Sequence, residues 1–374
     1  MDFTEVFQQL TQGFQAFTWG NALMLAVGLV LVTLAVVKEY EPVLLLPIGF
    51  GCIIANLGMS YEGGMMKVIY DAGISTELFP LLIFIGVGAM IDFRPLLAMP
   101  QMVILGAAGQ FGIYGTLLLA VLLGFNLPQA ASIGVIGAID GPTAIFVASK
   151  LAPDMLGPIA VAAYSYMSLI PIIQPPIMRL MTTRKERLVR MEYAARPVSK
   201  KLVVAFPIIV TIIVSLVAPS AAPLIATLML GNLLRESGVV DRLSKAAQNE
   251  IINIATLFLG LAIGSTMTAQ NFLSLSTLAV LALGLLAFVL DTVAGLLFGK
   301  LMYVVTGGKI NPLIGACGIS AFPMAGRLSA KMAQEEDFSN FILMHAMGAN
   351  TAGQLGSVVA GGLLLALVAS FGGM

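Results

Sequence analysis

Apolar residues in this chain run in long unbroken blocks. Ten of them, at 21–37, 43–57, 79–91, 102–124, 156–178, 202–218, 220–234, 251–268, 275–303 and 340–370, approach the roughly 20 residues that an α-helix needs to cross a bilayer. Strands of a membrane β-barrel would alternate polar and apolar positions instead. The pattern predicts an all-α polytopic membrane protein. Composition agrees, since 59% of the 374 residues are hydrophobic and only 10% are charged, against about 25% charged in a soluble domain. So many long apolar blocks exclude a large soluble protein with buried helices.

Two stretches break the pattern. Residues 130–150 and 310–330 are rich in Gly, Pro, Ser and Thr, the residues that interrupt regular helix. Charge gives them a role. Eight of the 19 Lys and Arg fall between Arg179 and Lys201, and a second basic loop covers 235–245. Both loops are expected on the cytoplasmic side, where Lys and Arg near span ends are retained. Counting spans outward puts Lys38, Arg94, Lys300, Lys309, Arg327 and Lys331 on that face too, with Lys67 and Lys150 as the exceptions. The count closes only if 130–150 and 310–330 dip in and return, or cross an even number of times. The expected location is the bacterial cytoplasmic (inner) membrane, crossed many times.

The opening MDFTEVFQQLTQGF lacks the basic leader and cleavage site of a signal peptide. Cys52, Cys317 and the single His345 form no disulfide or metal spacing. Net charge is zero, and no nucleic-acid partner is expected.

The chain divides into four parts. Residues 1–78 are N-terminal scaffold spans and 79–180 a first repeat. Residues 181–250 hold the basic loop, two linking spans and the second basic loop; 251–374 form a second repeat. LLIFIGVGAMIDFRPLL (81–97) aligns with TLFLGLAIGSTMTAQNFL (256–273). GAIDGPTAIFVASKLA (137–152) then faces GACGISAFPMAGRLSAKMA (315–333). The repeats start on opposite faces, which predicts an inverted-repeat, transporter-like architecture with two discontinuous or re-entrant segments. In such folds the site lies near the midplane, where broken helices meet.

GAIDGPT (137–143) places Asp140 inside one of these segments. An ionisable residue at the centre of a span costs about 2.5–3.5 kcal/mol and is a functional candidate. One reading makes Asp140 a helix cap near the outer surface. The other uses Gly141 and Pro142, which free backbone carbonyls. Together with the carboxylate and the Thr143 hydroxyl, these suit a hard cation such as Na⁺, and the carboxyl can also carry a proton. The second half offers neutral oxygens at Asn311, Ser320, Asn350, Thr351, Gln354 and Ser357, besides Arg327. Asn350, Gln354 and Ser357 share one helix face, which suits either cation binding or ordinary packing between helices. Tyr166 reads as a proton donor or as an interface anchor. Asp92 reads as a solvated span end and Asp291 as a secondary candidate.

GAIDGPTAIF, AYSYMSLIPIIQPP with its RKERLVR tail, INPLIGACGISAFPMAGR and GANTAGQLGS together resemble the β subunits of the sodium-translocating decarboxylases. That family serves oxaloacetate, methylmalonyl-CoA, glutaconyl-CoA and malonate decarboxylase pumps. The resemblance covers most of 80–360. It implies functional roles for Asp140, Tyr166, Asn311, Gly315, Ser320, Arg327, Asn350 and Ser357. Asp140, Thr143, Ser320, Asn350, Ser357 and the Gly315 backbone would hold Na⁺. Arg327, with Asn311, would hold carboxybiotin. Asp140, Tyr166 and Arg327 would act in the reaction. The carboxybiotin comes from a partner and is not attached to this chain, which has no Met-Lys-Met biotin motif, nucleotide loop or metal-ligand set. Its decarboxylation consumes a proton and exports Na⁺. Implied partners are biotin-carrier and carboxyltransferase subunits, a small γ-type membrane subunit, membrane lipid and further copies of the chain, as in a trimer. Two other functions fit the same spans: a stand-alone Na⁺-coupled carboxylate transporter, and a membrane anchor for a soluble complex. An anchor, however, needs no buried carboxylate.

Overall fold

In a bilayer every backbone N–H and C=O must find its partner within the protein, so long apolar blocks fold as helices. The structure, a computed structural model, describes residues 17–59, 63–191 and 197–372. The N-terminal stretch read against a signal peptide and part of the 179–201 basic loop lie outside the described residues. Among those described there is no strand, and eight helices are long and apolar enough to cross a membrane. They match eight of the ten expected blocks. The other two are shorter helices, Leu78–Met90 and Ala222–Ser237. The first forms a bent pair with Met65–Ser75, at 58°.

In chain order the main elements are α1 (Trp19–Val37), α2 (Pro42–Ile54), α3 (Leu78–Met90), α4 (Met102–Ala108) and α5 (Phe111–Leu122). Next come α6 (Leu127–Gly134), α7 (Gly141–Leu151), α8 (Leu156–Met181), α9 (Lys200–Val217) and α10 (Ala222–Ser237). The chain ends with α11 (Ile252–Thr266), α12 (Leu275–Val305), α13 (Met324–Glu336) and α14 (Leu343–Gly372). Apolar side chains point outward as well as inward. On α9, Ile208, Ile209, Ile212, Ile213 and Leu216 are all exposed, as a lipid-facing helix requires.

Helix contacts depend on small residues, because lipid supplies no hydrophobic drive between helices. α3 crosses α10 where Gly88 and Gly231 meet. A Cβ on Gly88 would lie 1.8 Å from the Leu228 carbonyl oxygen, and one on Gly231 would lie 1.9 Å from that of Ile85.

Ion pairs mark the two ends of the bundle. At one end Arg94 pairs with Asp92 and Glu236. Arg179, Arg184, Arg187 and Arg190 reach Glu335, Glu336 and Asp337, and Lys300 reaches Glu186. At the other end Lys67 pairs with Asp71 and Lys150 with Glu77. Glu77 and Arg94 flank opposite ends of α3, so the two expected exceptions do sit apart from the basic cluster.

Both Gly/Pro-rich stretches are broken hairpins. The first enters as α6, capped by the Asn126 side chain on the Gln129 N–H, and tightens into a 3₁₀ turn at Val135–Ala138. It reverses at Ile139, whose φ of 52° lies in the left-handed region that a β-branched residue rarely visits, and leaves as α7. The second enters through a 3₁₀ turn at Pro312–Cys317, capped by Asn311 on the Leu313 N–H. It passes an irregular tip at 318–323 and leaves as α13. From Leu127 to Ala138 the incoming arm of the first hairpin spans about 18 Å at 1.5 Å per residue. That is short of the roughly 30 Å hydrocarbon core.

Candidate cation site where two broken hairpins meet

The two tips touch. The Ser320 backbone N–H donates to the Ala138 carbonyl at 3.1 Å, and α14 runs past both. Beyond Ala138 the chain places Asp140 at the start of α7, with Pro142 in the first turn. Proline suits that position because its missing N–H would have no partner there.

Asp140 occupies the N-cap position of α7 but is only 6% exposed, so it does not sit at a wet rim. Instead its Oδ2 gathers three neutral donors. Thr143 Oγ1 donates at 2.7 Å, Gln354 Nε2 at 2.8 Å and Ser357 Oγ at 3.1 Å. Thr143 is one turn into α7; Gln354 and Ser357 are neighbours on α14. Among the described residues no Lys or Arg forms an ion pair with Asp140. The start of α7 adds the partial positive charge of a helix N-terminus.

The α14 face expected from spacing thus serves both hairpins. Gln354 and Ser357 hold the first. Asn350, one turn earlier, donates through Nδ2 to the carbonyls of Cys317 (3.2 Å) and Ile319 (2.6 Å) in the second. Its Oδ1 is buried without a partner among the described residues. Ser320 Oγ donates to the Gly353 carbonyl at 3.1 Å. Asp140, Thr143, Ser320, Asn350 and Ser357 are therefore brought together around the tips.

The remaining expected residues lie elsewhere. Tyr166 is not among the hydrogen-bond partners of Asp140; its hydroxyl donates to the Leu281 carbonyl of α12. The tyrosine beside the start of α7 is Tyr164, two residues earlier and therefore on another face of α8. A Cβ on Gly141 would lie 2.1 Å from Tyr164 Cζ and 2.5 Å from its hydroxyl, so only glycine fits. Asn311 sits at the ion-paired end. Its Nδ2 donates to the Arg187 and Val189 carbonyls, both at 2.9 Å, and Asn340 holds the same two carbonyls at 3.1 Å. Gly315 is a close-packing point, since a Cβ there would lie 2.0 Å from the Gly295 carbonyl oxygen.

Arg327 is exposed on α13 and forms no ion pair among the described residues, as does Lys331 one turn on. Farther along the same arm, Glu335, Glu336 and Asp337 are tied to the basic segment. The Arg187 guanidinium holds the Glu336 carboxyl below its usual range. The Ser339 hydroxyl, and then Arg190, do the same for Asp337.

Two glutamines were not anticipated. Gln110 stands in the break between α4 and α5; its Nε2 donates to the carbonyls of Gly106 (3.0 Å), Gly318 (3.2 Å) and Gly353 (3.3 Å). Gln174, buried in α8, donates to the Ala316 carbonyl at 2.7 Å. The rule that singled out Asp140, a polar side chain inside an apolar block, applies to both. Asp92 lies at a span end bonded to Arg94, as read.

One buried carboxylate beside two hydroxyls and side-chain amides has the donor chemistry that suits a small hard monovalent cation. Among the described residues no three His, Cys, Asp or Glu group together for a transition metal.

Residues 20–368 match the family described as Na⁺-transporting oxaloacetate decarboxylase beta subunit. The chain is 55% identical to methylmalonyl-CoA decarboxylase subunit beta of Veillonella parvula, over 96% of each chain. It is 54% identical to glutaconyl-CoA decarboxylase subunit beta of Acidaminococcus fermentans, over 95% of each. With the oxaloacetate decarboxylase beta chain of Klebsiella pneumoniae it shares 46% identity, over 93% of this chain and 95% of that one.

Proposed function

The chain belongs to the family of Na⁺-transporting oxaloacetate decarboxylase β subunits, and from that premise we propose that Asp140 and the oxygens around it carry the Na⁺. The observation that carries this reading is the convergence of Thr143, Gln354 and Ser357 on one buried carboxylate oxygen where the hairpin tips meet. A hydroxyl can donate to a carboxylate and accept a cation by rotating. Thr143 and Ser357 therefore switch from bonding Asp140 to coordinating Na⁺ without moving the backbone. Asn350 Oδ1 needs no such change, because it has no competing donor. Ser320 completes the set from the second tip.

Arg327 supplies the other half. Its free guanidinium presents two parallel N–H groups, the geometry that grips a carboxylate. It takes the carboxylate of a carboxybiotin delivered by a partner subunit. When the N–CO₂ bond breaks, CO₂ leaves, the ureido nitrogen takes a proton, and a negative charge is lost beside α13. The second hairpin, of which α13 is the outgoing arm, then shifts relative to the first and turns the site outward. Tyr166 and Asn311 act on this cycle through position. Tyr166 ties α8 to α12, and Asn311 ties the start of the second hairpin to the basic segment. Gly315 acts by letting that hairpin pack against α12.

The two hairpins with their flanking spans, 79–180 and 251–374, form an inverted repeat in this reading, with 1–78 and 181–250 as scaffold and linker. The arginine-rich end faces the cytoplasm of a bacterium, by the excess of Lys and Arg there. It meets the biotin carrier and the carboxyltransferase. A small γ-type subunit and further copies of the chain, as a trimer, complete the assembly.

The test is radioactive Na⁺ uptake into proteoliposomes supplied with free carboxybiotin. Asp140→Asn is expected to abolish both Na⁺-dependent decarboxylation and transport. Sodium-stimulated turnover in the folded variant would overturn the site. Carboxylate transport by the chain without any biotin donor would instead favour a stand-alone transporter.

A further inference from the structure

A second carboxyl sits in the middle of a span, away from the tips. Asp291 lies near the centre of the 31-residue α12, so about 20 Å or more of helix extends on either side at 1.5 Å per residue. It is 1% exposed. Oδ1 receives the Gly112 backbone N–H, and Oδ2 is buried with no partner among the described residues. Two buried hydroxyls are in the same condition, Thr292 beside it on α12 and Thr116 one turn beyond Gly112 on α5.

Nothing nearby balances a charge. The elements packed against α12 are α4, α5, α6, α8 and the two 3₁₀ turns. Their titratable groups are Tyr114 on α5, Tyr164, Tyr166 and Arg179 on α8, and Cys317 in the second turn; α12 itself adds Lys300 and Tyr303. Arg179 and Lys300 are engaged at the far end with Glu335 and Glu186. Tyr166 is bonded to Leu281. A bare carboxylate at a span centre is costly, and one N–H does not offset it. Among the described residues neither threonine hydroxyl is hydrogen-bonded to the carboxyl, so no shell of oxygens closes around it as a metal cation would need, whereas a proton needs one oxygen.

We propose that Asp291 is a second ion site of this protein, and that it binds a proton. Its single bonded partner ties it to the transport machinery. Gly112 follows the break between α4 and α5, from which Gln110 grips the Gly318 carbonyl of the second tip. The first tip touches the same place, since a Cβ on Gly137 would lie 3.0 Å from Ala287 Cβ and 3.3 Å from the Gly112 carbonyl carbon. Movement of either tip shifts the Gly112 N–H against Asp291 and changes how firmly the proton is held. The hairpin movement rests on the Na⁺-pump reading above; that Asp291 holds a proton rests on its own surroundings.

The test is infrared difference spectroscopy of the full chain in lipid vesicles at neutral pH, with and without Na⁺. The expected result is a protonated-carboxyl C=O stretch that Asp291→Asn removes, Asp291→Glu displaces and Na⁺ shifts. Asparagine still accepts from Gly112 and still presents a donor, so the variant is expected to fold; Asp291→Glu assigns the band independently. Absence of the band, its survival in Asp291→Asn, or its indifference to Na⁺ would overturn the proposal. Asp140→Asn separates the two readings. If the Na⁺ site is wrongly placed, Na⁺-induced changes survive in that variant, while the Asp291 band without Na⁺ is untouched by that failure.

Discussion

Replacing Thr143 with valine removes one hydroxyl from the site and little else. Thr143 is fully buried. Its Cγ2 methyl lies 2.7 Å from where a Cβ on Gly361 would be, and valine keeps that methyl against α14. What is lost is the 2.7 Å bond from Oγ1 to Asp140 Oδ2. A hydrogen bond to a charged group contributes about 1.5–3 kcal/mol, which at about 1.4 kcal/mol per factor of ten corresponds to roughly 10- to 150-fold. In the loaded site Na⁺ loses an oxygen ligand. In the empty site the bare carboxylate loses a donor and is held by a proton instead. Against that protonated resting form, the lost oxygen ligand raises the Na⁺ concentration needed. Thr143→Val is therefore expected to raise half-saturation by about tenfold or more. The assays are Na⁺-dependent protection from thermal unfolding, which grows with ligand occupancy, and Na⁺ uptake in proteoliposomes. An unchanged half-saturation in a folded variant would show that the hydroxyl only packs and caps, and would refute the ligand assignment.

Gly141→Ala is expected to lower thermal stability by about 1–3 kcal/mol through overpacking against Tyr164, and Tyr164→Ala in the same chain is expected to recover part of it. Arg327→Lys keeps the charge but loses the fork. It is expected to raise the carboxybiotin concentration required by roughly tenfold, the loss of one charge-assisted bond, while Na⁺ protection stays as it was. Glu336 and Asp337 are held below the usual carboxylate range, so their ion pairs add stability above about pH 4 and lose it as pH falls through the lower folded values. Proteolysis of 182–190 is expected to speed up only on that acid side, and Arg187→Gln is expected to remove the share due to Glu336 while leaving that of Asp337.

The helical membrane class was legible because lipid leaves a chain with so many apolar blocks one solution. The hairpins were legible too. Both stretches are rich in Gly, Pro, Ser and Thr, and a span count based on charge required each to dip in and return or to cross an even number of times. Asn350, Gln354 and Ser357 could be grouped because helical spacing fixes their face, whereas joining them to Asp140, on a distant segment, rested on the family resemblance. Choosing between Tyr164 and Tyr166 was beyond periodicity, since both lie in one apolar helix and only packing against Gly141 decides which meets the site. Asn311 shows the same limit. Its spacing from the tip says nothing of the Arg187 and Val189 carbonyls, which come from a segment more than a hundred residues earlier.

In the proposed pump, the grip on the second tip would let the site both take and release an ion. Gln174 holds the carbonyl of residue 316, Gln110 that of 318, and Asn350 those of 317 and 319. Unwound carbonyls are what Na⁺ seeks in a broken helix, yet here each of these four is already bonded to an amide. Each such bond contributes only about 0.5–1.5 kcal/mol net, so exchanging an amide donor for an ion is close to balanced. The three amides come from α8, the α4–α5 break and α14, and letting go of any carbonyl loosens the tip from that helix. On that reading, Na⁺ would draw on these oxygens only by freeing the second hairpin, and the hairpin's return would close the carbonyls to Na⁺ again. Leucine at position 110 or 174 would leave carbonyls permanently open, and the coupling would then fail toward leakage of Na⁺ without decarboxylation rather than toward a blocked pump.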